Sequence, residues 1–265
     1  MNKYLCVAKL TLQEYFAYRL NFFLWRFRNF VFFLTLVFFW SAVYEGRDEF
    51  LGYQRSEMLT YVFGIALLRS VVLSSRISDL AGQIKSGSLN KLILKPINMF
   101  YYWWGIDVGD KFLNIFFTIF EVGVIYYLLK FNLYFPNNYE TYLVFGLFVV
   151  LGILLNFFFS FFLSLSAFWT DEIWGTRYLF GFIFLEFFAG AFFPIDVLPD
   201  FLTRIIYLTP FPYLIFFPLK IWLGQFPLEL AFQALFVCLA WVVLFWSISS
   251  FVWRRAIRNY GAYGG

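Results

Sequence analysis

Residues 142–168 read YLVFGLFVVLGILLNFFFSFFLSLSAF, a run without one charged side chain. A hydrocarbon core of ~30 Å is crossed by about 20 helical residues. A soluble domain has no place for such a run, because its surface must stay largely polar. Working outward, five further stretches qualify as candidate spans: 29–44, 58–74, 112–129, 178–193 and 228–252. The stretch 178–193 is short and closed by Pro194, so a crossing in one piece is left open there. Composition agrees, with 62% of the 265 residues apolar or aromatic against roughly 45–50% in soluble domains. Mean hydropathy is +0.75. The expected fold class is therefore all-α integral membrane, with six transmembrane helices in a single domain, 1–265. No internal repeat, low-complexity tract or soluble domain interrupts it. No span carries a signal-peptide cleavage pattern, so no processing is expected. The 42 phenylalanines have no functional explanation; lipid accepts Phe as readily as Leu.

Charge placement orients the spans, because cytoplasmic segments hold the excess of Lys and Arg. With the N-terminus inside, only Arg47, Arg55, Lys130, Arg204 and Lys220 fall outside, and the other fifteen of the 20 basic residues fall inside. That split predicts both termini in the cytoplasm, and an even number of spans agrees.

Four segments between the spans are informative. In 4–22, Leu5, Ala8, Leu12, Tyr15 and Phe16 share a helical face while Lys9, Gln13 and Arg19 lie elsewhere, which reads as an interfacial amphipathic helix on the inner leaflet. The basic loop 76–96 repeats Ile77, Leu80, Ala81 and Ile84 at helical spacing. It breaks at Ser86-Gly87-Ser88 and resumes with Leu89, Leu92, Ile93 and Leu94 before Pro96. The turn 171–176 is acidic, although inside by its position. The segment 194–227 holds six of the eight prolines yet is apolar, which suits short helices dipping into the outer side and covered by protein.

Catalytic chemistry is sparse. The absence of histidine removes the commonest base and metal ligand. Cys6 and Cys238 stand in no redox or metal spacing, and there is no GxxxxGK[ST], GxSxG or CxxC, so neither an ATP site nor a metal site is expected. Within or next to the spans lie two acids, Glu121 and Glu186, with no Lys or Arg in a span to pair with. They are either pathway-lining carboxylates or carboxylates bonded to another helix. Tyr101, Tyr102, Trp103 and Trp104 read as an aromatic anchor at headgroup level.

At this point the sequence resembles the ABC-2-type transporter permeases. The stretch Ile84-Lys85-Ser86-Gly87-Ser88-Leu89, with Leu92-Ile93-Leu94-Lys95-Pro96-Ile97-Asn98, is similar to that family's I-x-x-G-x-L…LLxP-x-N. The stretch Phe193-Pro194-Ile195-Asp196-Val197-Leu198-Pro199, with Pro210-Phe211-Pro212-Tyr213 and Pro218, is similar to its FPxxxLP…PFxY…P. The resemblance implies a coupling helix in 76–96 that docks on a separate nucleotide-binding subunit through Asp79, Gln83, Lys85, Ser86, Gly87, Ser88 and Leu89. It also implies an outer gate of re-entrant helices carrying Phe193, Pro194, Asp196, Pro199, Pro210 and Pro212. The chain itself would bind no cofactor, with ATP and magnesium held by the partner. The working unit would be two nucleotide-binding subunits with a second permease chain, identical or homologous. It would lie among lipids of a bacterial cytoplasmic membrane, with no nucleic acid involved. Such a unit would export an amphipathic or lipid-linked substrate, and this chain would be no enzyme. Two rival readings stand beside it: an ion-coupled carrier using Glu121 and Glu186, and a membrane-embedded lipid-modifying enzyme. For the enzyme the one local polar group is Asp107, Asp110 and Lys111, which reads more simply as interfacial.

Overall fold

The computed structural model describes residues 2–170, 175 and 178–260. The acidic turn 171–176 falls, apart from residue 175, outside the described residues, as does Arg177. Helix α1 (Asn2–Ala17) ends at a break on Tyr18, and α2 (Arg19–Val43) follows. A two-residue hairpin, β1 (Glu49–Phe50) with β2 (Tyr53–Gln54), pairs Glu49 with Gln54 and leads into α3 (Arg55–Leu68). Helix α3 continues as a π turn, Arg69–Leu73, and stops where Ser74 becomes extended at ψ 129°. Helices α4 (Ser78–Lys85) and α5 (Asn90–Ile93) form the loop before α6 (Met99–Leu129). Then come α7 (Tyr139–Leu165) and the short α8 (Leu179–Ala189), which opens with a π turn, Leu179–Phe184. Helices α9 (Asp200–Tyr207) and α10 (Phe216–Trp222) precede the long α11 (Leu228–Asn259).

Five stretches are long and apolar enough to cross a membrane: Arg19–Val43, Arg55–Lys85, Met99–Leu129, Tyr139–Phe168 and Leu228–Arg258. The second contains the break at Ser74, so residues 55–73, about 28 Å of helix, form its continuous part. Helix α8 runs only about 16 Å, half the hydrocarbon thickness. Of the six predicted spans, then, five correspond to long helices and 178–193 corresponds to this half-length one. The helices also begin earlier than hydropathy suggests. Helix α2 starts at Arg19 instead of 29 and takes residues 19–22 from the predicted N-terminal helix, and α6 starts at Met99 instead of 112. Charges near these starts stopped the hydropathy count, but Arg26 and Lys111 find partners and the helices run through them.

Helix α7 sits in the middle of the core. Its Phe159 meets Phe211 at 5.2 Å and Phe245 of α11 at 5.3 Å, and Ser249 of α11 donates to the Phe158 carbonyl at 3.2 Å. Outward faces of α2, α6 and α11 present Phe39, Phe120 and Phe236, all well exposed to the surroundings. Lipid in place of water is the solvent in which such faces are stable.

Helix α1 packs on α6 through a close backbone contact. A Cβ on Gly105 would stand 2.8 Å from the Tyr4 carbonyl oxygen, and one on Gly109 would stand 2.7 Å from that of Ala8. Small residues four apart let two helices approach this closely. The face that packs is Val7, Ala8, Thr11 and Tyr15, whereas Leu5 and Phe16 point away at 64% and 71% exposure. The predicted grouping of Leu5 and Phe16 with Ala8 and Tyr15 thus merges two faces. Backbone approach selects small residues, and the large apolar ones are left for the surroundings.

Candidate functional site

The loop 76–96 folds as its periodicity demands. Ile77, Leu80, Ala81 and Ile84 are all buried, in a cluster with Trp103, Phe161 and Trp253. The opposite side of α4 keeps Asp79, Gly82 and Lys85 exposed, with Ser86 beyond it. Gly87 takes φ +71°, a left-handed conformation that favours glycine. This turn lets the Leu89 amide bond back to the Gln83 carbonyl at 3.1 Å, while Ser86 and Ser88 hydroxyls meet at 2.8 Å. Leu89 is wholly buried and anchors the turn from inside.

The module is tied to its neighbours. Arg76 bonds Asp79 at 3.0 Å and Glu14 of α1 at 2.7 Å, so one guanidinium joins α1 to α4. Above it, Lys111 of α6 donates to the Val72 carbonyl at 3.3 Å and also to that of Ser74, the carbonyls left open where α3 ends. Asp107 lies 3.4 Å from Lys111, and Tyr15 donates to Asp110. Asp107, Asp110 and Lys111 are 0%, 3% and 6% exposed. They are therefore buried within the protein, where Lys111 ties α6 to the end of α3 and Asp110 ties it to α1.

Deeper in the bundle, α2, α3, α6 and α8 enclose a cavity of about 180 Å³. It shares Arg28, Asn29, Arg69 and Ser75 with a larger lobe of about 590 Å³ bounded by α7. Glu121 is ion-paired with Arg26, whose Nε donates to Oε1 at 3.1 Å and whose Nη2 also reaches Thr118 at 3.1 Å. Glu186 accepts from Arg69 Nη2 at 2.7 Å. The expectation that neither acid has a basic partner is thereby corrected. Each is bonded to another helix, the alternative that places them in the architecture.

On the opposite side, 194–227 is broken into α9, α10 and two 3-10 turns, Ile195–Val197 and Phe211–Tyr213. Asp196 bonds Lys220 at 2.8 Å and accepts from Tyr53 at 2.8 and 3.0 Å; Lys220 also bonds Gln225 at 2.6 Å. Burial, then the charge of Asp196, raises the Tyr53 phenol above its ordinary range, so it stays a donor. Gly190, at φ +80°, ends α8 where Tyr61 donates to its carbonyl at 2.9 Å. Pro194, Pro210 and Pro212 are buried; Phe193 is half-buried, and Asp196 and Pro199 are exposed.

The chain builds a multi-helix bundle with a structured loop between its second and third long helices, and its sequence matches the profile of ABC-2 family transporter proteins over residues 30–264. The chain belongs to that family. No curated protein matches it. As an ABC-2 permease it is a multi-pass membrane transport component of an ABC transporter, from a family whose members are generally non-catalytic and associate with an ABC ATPase subunit.

In this permease the predicted coupling residues lie along α4 and the turn after it, the predicted gate residues lie on the proline-rich segment after α8, and Glu121 and Glu186 share one cavity. Sequence reasoning missed the arginines. Arg26 and Arg28 were counted before the first span, and Arg69, inside the predicted span 58–74, was counted with the connection that follows it, although all three line the cavity. The available signal was the run Trp25-Arg26-Phe27-Arg28-Asn29-Phe30, charges alternating with aromatics in an otherwise apolar stretch.

Proposed function

We propose that this permease is driven by a separate nucleotide-binding subunit docking on α4 and the Ser86–Ser88 turn, and that it exports an amphipathic or lipid-linked substrate. ATP and magnesium belong to that subunit. The working unit is two permease chains, identical or homologous, with two ATPase chains. Six crossings, with α8 counted as the fifth, leave both termini on the cytoplasmic side of a bacterial inner membrane. The basic residues favour that orientation even when the buried Arg26, Arg69 and Lys111 are set aside, by twelve to five. Exposed Leu5 and Phe16 suit α1 to the inner leaflet, and the segment 194–227 serves as the outer gate.

The observation that carries this reading is the build of α4. Its apolar face is buried, its other face is charged and open, and Arg76 ties it to α1. A small helix held on several sides passes on a rigid-body push and does not absorb it. Co-expression with ABC ATPase subunits from the same genome tests the reading. The two chains should co-purify, and Lys85→Glu should weaken association while membrane insertion stays intact. Gly87→Pro should act more strongly, since proline is locked near φ −65° and cannot adopt +71°. A chain that never co-purifies with any P-loop subunit overturns the proposal.

A further inference from the structure

The charges around the membrane cavity do not cancel. Glu121 and Glu186 face Arg26, Arg28 and Arg69, and the two acids are taken by Arg26 and Arg69. Arg28 is exposed and, among the described residues, makes no ion pair; the ring of Trp25 lies 5.9 Å from its guanidinium. Arg69 is only half engaged. Its Nη2 holds Glu186, the Phe32 ring covers it at 4.2 Å, and its Nη1 is buried without a hydrogen-bond partner. The larger lobe carries the imbalance. Among the described residues its charged lining is Arg28 and Arg69, and Glu186 lines only the smaller lobe. Hydroxyls and amides add to the polar wall, among them Asn29, Ser75 and Ser160. The rest of that wall is apolar, with Phe32, Leu73, Leu163 and Phe182.

Two cations facing one partly apolar lobe, one of them with a buried nitrogen left unbonded, favour an anion there. A guanidinium donates two parallel bonds to a phosphate or carboxylate, the strongest hydrogen bonds available to it. We propose that the larger lobe binds the anionic head, phosphate or carboxylate, of an amphipathic molecule. Arg28 and the free Nη1 of Arg69 hold the head, and the tail lies along Phe32, Leu73, Leu163 and Phe182. That this ligand is the transported substrate rests on the permease reading above. The binding itself does not, and the experiment separates the two.

The chain, purified in neutral maltoside detergent, is titrated calorimetrically with octyl phosphate, octanol, octyltrimethylammonium and inorganic phosphate. Octyl phosphate should bind at least roughly ten-fold more tightly than each of the others. A charged hydrogen bond carries about one to two decades of affinity, so Arg28→Gln should weaken octyl phosphate roughly ten- to hundred-fold, and Arg28→Lys should restore most of the loss. Because Arg28 is exposed and unpaired, the fold does not depend on it. Equal binding of octanol or the ammonium compound, or unchanged affinity in Arg28→Gln, overturns the proposal. Inorganic phosphate binding as well as octyl phosphate would overturn its amphipathic half. With the ATPase subunit bound, octyl phosphate should raise ATP turnover and octanol should not. A chain that binds octyl phosphate selectively but never joins an ATPase upholds this inference and removes the reading before it.

Discussion

Replacing Arg26 by Met strands the Glu121 carboxylate among α2 and α6. Breaking a buried pair by removing one partner costs about 3–5 kcal/mol. The Glu121 side chain keeps 18% exposure, so water still reaches the stranded acid, and the lower end, about 3 kcal/mol, is the expected loss. That is roughly a 150-fold fall in the folding equilibrium. The converse change, Glu121→Leu, strands a guanidinium only 7% exposed, so its cost should be at least as large. Combining Arg26→Met with Glu121→Leu removes both charges and fills similar volume, and the double variant should lose no more than about 1 kcal/mol. The assay is unfolding by SDS titration in mixed micelles, followed by circular dichroism, with the four proteins forming one double-mutant cycle. Single losses under about 1 kcal/mol, as expected of a surface pair, would refute the assignment. So would a double variant whose loss equals the sum of the singles.

Three other outcomes follow from the described contacts. Gly109→Ala places a methyl 2.7 Å from the Ala8 carbonyl oxygen and should cost about 1–3 kcal/mol, with α1 becoming cleavable by protease from the cytoplasmic side. Glu14→Ala breaks a partly exposed pair, so stability should change by less than about 1 kcal/mol, yet ATP turnover stimulated through the permease should drop. In the outer network the Tyr53 phenol is raised from its ordinary 10.0 by burial and then by Asp196. Its contribution is whole below about pH 10 and is lost as pH rises beyond that, because the unfolded chain sheds this proton first. Tyr53→Phe should cost about 1 kcal/mol near neutrality and flatten the alkaline loss in a pH series of SDS midpoints.

How far the sequence carried the fold depends on which force set each element. Burial alone set α4, and Ile77, Leu80, Ala81 and Ile84 announced it at their spacing. Backbone conformation alone set the turn after it, and Gly87 between two serines announced that. The helix starts were not legible, because hydropathy stops at Arg28 or Lys111 while the hydrogen-bond ladder runs on past Arg26 and Lys111, which have partners, and past Arg28 on the exposed face. The inner face of α1 was not legible either, since Gly105 and Gly109 select small residues there, and a search for large apolar ones finds the other side. The ion pairs Arg26–Glu121 and Arg69–Glu186 lie 95 and 117 residues apart in the chain. Their partners meet only because the helices set them at equal depth, which no local pattern records.

The break at Ser74 has a consequence for how force would travel. If α3 and α4 formed one rod, turning α4 would twist α3 along its own axis. They do not, because the rod is cut at Ser74 and Lys111 of α6 grips the cut end through the Val72 and Ser74 carbonyls. Load applied at α4 therefore leaves the α3 axis at that joint and passes sideways, through a lysine from one neighbour and Arg76 and Glu14 towards the other. In mechanical terms α4 is a crank on a pinned bearing. The shaft it turns is the α1–α6 pair, locked together at two glycines.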